Sequence, residues 1–305
     1  MGTSRRDFLK MGTFALTGVA VGTGLSSFSN RQNRDILGMQ LYTVRDDMQK
    51  DPIGALRQLS KIGYKNVEHA NYINREFYGY SPKDFKKILE DAGLKMPSGH
   101  VQFGLNDWDA SKKSFTDQWK YTIEDAVIAG QSHLINPWMD EEIRTDHNKL
   151  MQLLELFNKS GELCKRSGLQ FGYHNHDFEF DTHIDRKLLY DIILDKTDPD
   201  LVVQEMDIGN MYNGGGKPID VLKKHPGRFK MMHVKDLIRS KQGEMGDSYE
   251  STVLGKGILP VKEIIDLAKR IGHTSYFIIE QESYQDQTSM ECSKEDYITM
   301  KKWGL

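Results

Sequence analysis

Eight short apolar runs, alternating with longer stretches of helical periodicity, set the strongest constraint on how this chain can fold. The runs fall at 36–41, 66–69, 95–100, 132–136, 170–174, 201–206, 229–234 and 276–280. Between them lie amphipathic segments at 52–62, 82–92, 112–129, 147–167, 186–194 and 260–271, with apolar residues recurring at three and four, as Leu150, Leu153, Leu154 and Phe157 do. Glycine closes several of these segments just before the next run, in KIGYKNVE, DAGLKMPSGH, RSGLQFGYH and RIGHTSYFIIE. Ser81-Pro82-Lys83-Asp84 opens another with a hydroxyl cap and a proline in the first turn. Strands alternating with helices over this length predict an α/β fold of the (β/α)8 TIM-barrel type, one domain spanning 35–305. The rival, an open doubly wound sheet, usually brings a glycine-rich first turn, and GMQLYTVRDD has none.

The first residues read as an address. Ser4-Arg5-Arg6-Asp7-Phe8-Leu9-Lys10 precedes a weakly apolar stretch from 11 to about 28, rich in Gly, Ala and Thr. A twin arginine before such a stretch is the pattern of a bacterial twin-arginine (Tat) export signal, here 1–30, and not of a membrane span. No cysteine follows the stretch, so no lipid anchor is expected. The expected location is periplasmic, by a route that carries folded proteins and suits an enzyme that takes up its metal before crossing. Cys164 and Cys292 form no metal-type spacing and leave either one disulfide or two buried thiols. The formal net charge of −3 provides no field for polyanions, which excludes nucleic acid as a main partner.

A barrel of this kind carries its chemistry at the C-terminal ends of its strands. Read in order, those ends offer Gln40 and Tyr42, Glu68, His100, Asn136 and Trp138, His174 and His176, Glu205 and Asp207, His233 and Lys235, and Glu280. Strand side chains alternate, so His174 shares a face with His176, Glu205 with Asp207, and His233 with Lys235. Ligand-type residues closing most of the strands are more specific than any single motif, although rim salt bridges at Glu68 and His100 would look the same. Tyr42 and Trp138 are candidates to stack on a sugar, a role that a core aromatic mimics in sequence. Lys235 has an ion pair with Asp236 or another nearby acid as its plainer alternative. The Gly214-Gly215-Gly216 run lacks the lysine–hydroxyl ending of a phosphate loop and reads as a turn.

GYHNHDFEF, EMDIGNMYNGG, HPGRFKMMHVKD, VLGKGILP and FIIEQES resemble the xylose isomerase-like TIM barrels, the sugar phosphate isomerase/epimerase group, from about Ile36 to the C-terminus and most strongly from Gly172 onward. The resemblance implies one divalent metal held at the ends of the fifth to eighth strands, which here means His174, Asp207, His233 and Glu280. That family commonly has a carboxylate where His174 stands, and His176, Glu179 and Glu205 are alternatives for the fifth-strand ligand. Carboxylates with imidazoles and no thiolate suit Mn²⁺, Co²⁺, Zn²⁺ or Mg²⁺. Such an ion can chelate a keto-sugar and stabilise the enediolate left when the α-proton departs. His176 is the expected proton carrier, helped by Glu280 or Glu205, with His100 a further acid/base candidate and Glu68, Lys235, Tyr42 and Trp138 the expected substrate contacts.

The AP endonucleases of the same superfamily carry a histidine three residues after the sixth-strand aspartate, where this chain has Asn210, and their Asp-Arg-His stretch would fall near Tyr249-Glu250-Ser251. A three-zinc DNA-repair site is therefore not expected. The leading expectation is a metal-dependent isomerase or epimerase of a free keto-sugar. A lyase or dehydratase of a 3-keto-glycoside or keto-inositol follows, because YHNHDFEF adds imidazoles that elimination could use. A sugar-binding protein without activity comes last. The expected partner is a small carbohydrate, with no membrane span in the mature chain and homo-oligomerisation left open.

Overall fold

The computed structural model describes residues 36–241, 243 and 248–305, so the expected export signal at 1–30 lies outside the described residues. Eight parallel strands make the central sheet: β1 (Leu37–Gln40), β2 (Asn66–His69), β3 (Lys95–Gly99), β4 (His133–Asn136), β5 (Gln170–His174), β6 (Val202–Asp207), β7 (Phe229–Val234) and β8 (Tyr276–Ile279). Their order is β3-β2-β1-β8-β7-β6-β5-β4. A parallel bridge between His100 and Ile135 joins the two ends, and the Val101 N–H donates to the Ile135 carbonyl at 2.9 Å. This is the expected TIM barrel, and every strand begins and ends within one residue of its apolar run.

A helix follows each strand: α1 (Pro52–Ile62), α2 (Pro82–Asp91), α3 (Asp117–Ala129), α4 (His147–Arg166), α5 (Leu189–Lys196), α6 (Pro218–Lys224), α7 (Val261–Leu267) and α8 (Ser289–Lys302). Short polar side chains start several of them by accepting otherwise unpaired backbone N–H groups. Asp51 accepts from Gly54 at 2.9 Å, Ser81 from Asp84 at 3.2 Å and Thr116 from Trp119 at 3.3 Å. Among the described residues no helix is long and apolar enough to cross a membrane.

Three helical segments depart from their expected bounds. The stretch from 112 is helical only from Asp117, because Trp108–Asp109 pairs with Ser114–Phe115 in a hairpin. The stretch from 186 starts at Leu189, because Lys187–Leu188 pairs with His183–Ile184. The stretch 260–271 is α-helical to Leu267 and then widens into a π-helical turn, Ala268–Gly272. There His273, at φ 53°, reverses the chain instead of the expected glycine. Cys164 and Cys292 are both buried free thiols.

The hydrophobic core has two compartments. Outside the sheet, Phe103, Trp119, Phe157 and Phe171 pack with ring centroids 4.5 to 6.0 Å apart. Inside it, Ile135, Val203, Met231 and Ile278 form a small apolar plug. Gly38 and Gly172 make room for that plug, since an added Cβ would lie 2.5 Å from Ile278 Cδ1 and 2.6 Å from Ile135 Cδ1 respectively.

Candidate active site and metal centre

Two residues further along the same strands the interior becomes polar. Gly38 is followed on its face by Gln40, Gly172 by His174, Val203 by Glu205, Met231 by His233 and Ile278 by Glu280. Above them opens a cavity of about 640 Å³, lined by Tyr42, His100, Trp138, His174, His176 and Glu280 among others. Tyr42 and Trp138 stand at its rim, 43% and 38% exposed.

Asp207 shows how local structure aims a functional group. It caps the short helix Ile208–Asn213, its Oδ1 accepting from the Asn210 N–H at 2.8 Å. The cap fixes the carboxylate and leaves Oδ2, which is buried and accepts no hydrogen bond. Asp207, His233 and Glu280 bring their ligand atoms within 4.8 Å of one another. His233 Nδ1 lies 3.3 Å from Glu280 Oε2. A buried carboxylate oxygen with no donor is costly unless a cation answers it, so two carboxylates and an imidazole facing one point fit a divalent ion of oxygen/nitrogen preference. Lys235 partly answers the same charge, its Nζ lying 2.9 Å from Glu280, 3.4 Å from Asp207 and 2.7 Å from Glu282.

The fourth expected ligand departs from that group. His174 directs Nδ1 to Glu205 Oε2 at 3.2 Å and gathers with His100, Glu205 and His233 in a second cluster. Glu179, an alternative fifth-strand ligand, is turned away. Its carboxylate accepts from the Tyr173 hydroxyl at 2.5 Å and from the His176 N–H at 2.9 Å. It thereby shapes the turn that carries His176, and burial pushes it up to about 8.

Depth corrects other expectations. Glu68, Lys235 and Glu205 are fully buried and do not line the cavity. Glu68 is held by Gln40 at 2.7 Å and by Ser98, and His233 Nε2 lies 2.7 Å from it. Glu68 thus meets His100 and His233, Lys235 meets Asp207, Glu280 and Glu282, and Glu205 meets His100 and His174, all beneath the cavity lining. Lys235 pairs with the site carboxylates and not with Asp236, which instead accepts N–H groups from Leu237, Gly255, Gly257 and Leu259. Glu282, two residues beyond Glu280, lines the cavity and was readable from the alternation in FIIEQES.

Burial and neighbouring charge pull the titratable groups apart. Burial, reinforced by Lys235, lowers His176 to about 4, and burial with His233 and His100 nearby holds His174 well below the usual imidazole range. Burial also disfavours the His100 cation, but Glu68 and Glu205 outweigh it and raise the group to about 9. Burial pushes Glu205 up to about 7, with Glu68 adding to it, and Asp207 to about 6 despite Lys235. Glu280 goes the other way, since Lys235 and His233 overcome its burial. His176 lies in the cavity wall, its ring stacked 5.8 Å from Phe178 and edge-on to Trp138 at 5.1 Å. Its Nδ1 is buried without a hydrogen bond.

A family described as xylose isomerase-like TIM barrel matches residues 56–301. The inosose dehydratase of Lacticaseibacillus casei is 23% identical over 249 residues, covering 75% of this chain and 81% of that one. A sugar phosphate isomerase/epimerase structure from Parabacteroides distasonis superposes with a TM-score of 0.73 at 28% identity, covering 87% and 97% of the two chains. The IOLI protein, solved with a bound zinc atom, superposes with a TM-score of 0.67 at 13% identity, covering 88% and 97%.

Proposed function

The chain belongs to the xylose isomerase-like TIM barrel family, and from that premise we propose that it is a divalent-metal-dependent lyase. It would remove water or an alcohol from a keto-sugar or keto-inositol by abstracting the proton α to the ketone. The observation that carries this reading is the Asp207–His233–Glu280 group, whose Asp207 Oδ2 accepts no hydrogen bond and is faced by Lys235 Nζ at 3.4 Å, beside a cavity whose wall includes His176. The dehydratase named among the relatives and the zinc-bound structure support the same chemistry.

Asp207, His233 and Glu280 would hold the ion, with Lys235 balancing the surplus carboxylate charge. When bound, the ion supplies Lewis-acid polarisation of the ketone and so acidifies the α-proton. That help is needed, because an imidazole held near 4 is neutral at physiological pH but a weak base. His176 takes the α-proton, and the C–H electrons become a C=C bond as the β-carbon–oxygen bond breaks. The imidazolium then returns its proton to the departing oxygen, so one residue serves both ends of the elimination. Tyr42 and Trp138 offer faces to the sugar ring at the rim. With the twin-arginine start read as an export signal, the reaction is assigned to the periplasm, and finding the chain only in the cytosolic fraction of its host would refute that assignment.

Isomerisation is the second reading, supported by the isomerase/epimerase relative, because one base can also return the proton to carbon. A panel of keto-inositols and keto-glycosides in D₂O, with and without Mn²⁺, separates the two. Elimination produces a conjugated enone that absorbs in the ultraviolet, whereas isomerisation places deuterium on carbon without it. Neither enone nor deuterium incorporation across the panel would sink both.

A further inference from the structure

We propose that the barrel interior holds a second metal position, deeper than the Asp207–His233–Glu280 group, with His100, His174, Glu205 and His233 as its ligands and Zn²⁺ or Co²⁺ as its class of ion. The four ligand atoms all lie within 4.8 Å of one another. Glu205 Oε2 is 2.9 Å from His100 Nε2, 3.2 Å from His174 Nδ1 and 3.4 Å from His233 Nε2. Bonds of about 2.0–2.1 Å to a tetrahedral zinc put its ligand atoms roughly 3.3–3.4 Å apart. Glu205 Oε2 stands within about half an ångström of that separation from each of the three nitrogens, and the nitrogens lie within 4.8 Å of one another.

Hydrogen bonding alone explains the arrangement poorly. An ionised carboxylate has about four acceptor sites shared between its two oxygens. Here three imidazole nitrogens crowd Oε2, while Oε1 is buried and accepts nothing. Glu68 Oε1, 3.2 Å from His100 Nε2 and 2.7 Å from His233 Nε2, adds a fifth possible ligand atom within reach. Two buried carboxylates facing three imidazoles make a charge and donor set that a divalent ion completes.

The surroundings suit the assignment as well. His233 is shared by the two groups: it would ligate the deep ion through Nε2 and the outer ion through Nδ1, bridging them as an imidazolate. His100 and His174 line the cavity floor, so an ion has a way in. Four side-chain ligands leave no position for substrate, which makes this ion structural, pinning the two imidazoles that form the floor. The deep site rests on Glu205 and the reaction assigned above on Asp207 and Glu280, while His233 belongs to both groups.

The test loads the full chain with Zn²⁺ or Co²⁺, counts bound metal by mass spectrometry, and compares the parent with Glu205→Gln, His100→Gln and Asp207→Asn. The expected Co²⁺ form has the intense visible bands of four-coordinate cobalt. Glu205→Gln and His100→Gln each lose them, with affinity for that ion down more than about 100-fold, beyond what a change outside the ligand set produces. Asp207→Asn keeps them and loses only the outer ion. Bands and metal content unchanged in both Glu205→Gln and His100→Gln would overturn the deep site. Loss of all metal in Asp207→Asn alone would do the same while upholding the outer one. Bands lost in the two deep variants, with no further ion lost in Asp207→Asn, would uphold the deep site and overturn the outer one. Should a variant fail to fold, the parent decides: only the weak bands of six-coordinate cobalt would overturn the proposal.

Discussion

The two layers of the barrel interior are built by the same strands and differ completely in composition. Gly38, Ile135, Gly172, Val203, Met231 and Ile278 make the lower layer, apolar and close-packed. Gln40, His174, Glu205, His233 and Glu280, two residues on, make the upper one with Glu68 and His100, and in it most polar atoms meet another polar atom. A step of two residues is about 6.6 Å along a strand. Within that distance the interior passes from burial that stabilises the fold to burial that stores charge. The lower layer gains stability from apolar area removed from water, whereas the upper layer offsets desolvation with ion pairs and adds little net stability. The contrast implies that the layers can be damaged separately.

The largest effect is expected at Asp207. Asp207→Asn keeps the cap on Asn210 through Oδ1 and removes the charge that the outer ion needs. Activity should fall to background and the outer ion should be lost, while the melting temperature stays close to that of the parent. Cooperative unfolding of the variant at a much lower temperature would show that the upper layer also carries the fold, and the contrast would fail.

Next comes His176→Gln. Removing a positioned acid/base should cost about 10²- to 10⁴-fold in kcat with metal content unchanged. Because the His176 backbone N–H already binds Glu179, the turn should survive the change. Rates within a few-fold of the parent would make His176 a wall residue and move the proton transfer to Glu280.

The lower layer is tested by Met231→Ala. It leaves a cavity against Ile135, Val203 and Ile278, for which about 2–5 kcal/mol of destabilisation is expected by urea unfolding. Metal content and kcat should hold at temperatures where the variant is folded. A loss of metal at full folding would mean that the plug positions the ligands as well as supporting the strands.

Both layers were readable from the chain in different degrees. The strands were legible because β-branched and apolar runs such as VVQEM are too short for helices and are buried on both faces. Alternation then told which residues share the interior, and His100, His174, Glu205, Asp207, His233 and Glu280 do converge. What alternation does not encode is depth and aim. It cannot tell that Glu68 sits under His100 instead of beside a substrate, or that a five-atom lysine stem folds back on Gly209 so that Lys235 meets three carboxylates. Nor can it say which nitrogen of His174 turns to which partner, and His174 groups with His100, Glu205 and His233. The hairpins before α3 and α5 were hidden for a related reason. Two-residue strands are too short to leave a period, and the helical pattern beyond them runs back over their residues.

A further test concerns a buried acid outside both layers, and it sharpens the contrast by removing the compensation that the upper layer enjoys. Asp296, on α8, accepts the Leu254 N–H at 2.8 Å through Oδ1, but its Oδ2 is buried without a hydrogen bond. Lys256, whose charge acts on Asp296, is itself held by Glu295 at 2.6 Å. Burial, helped by Glu295 and Asp236, pushes Asp296 up to about 8, against about 3.9 in an unfolded chain. Between those values the folded chain keeps a proton that the unfolded chain has released. This group's contribution is therefore fully present below about pH 4 and is lost as pH rises towards about 8, with a slope of up to ~1.4 kcal/mol per pH unit. Asp296→Asn keeps the acceptor and abolishes the titration. Urea unfolding at about pH 5 and about pH 8 should show the variant gaining stability relative to the parent as pH rises. If the two stabilities instead run parallel with pH, Asp296 is ionised in the fold, and a carboxylate in this chain can be buried without the imidazole and lysine partners that surround those of the site.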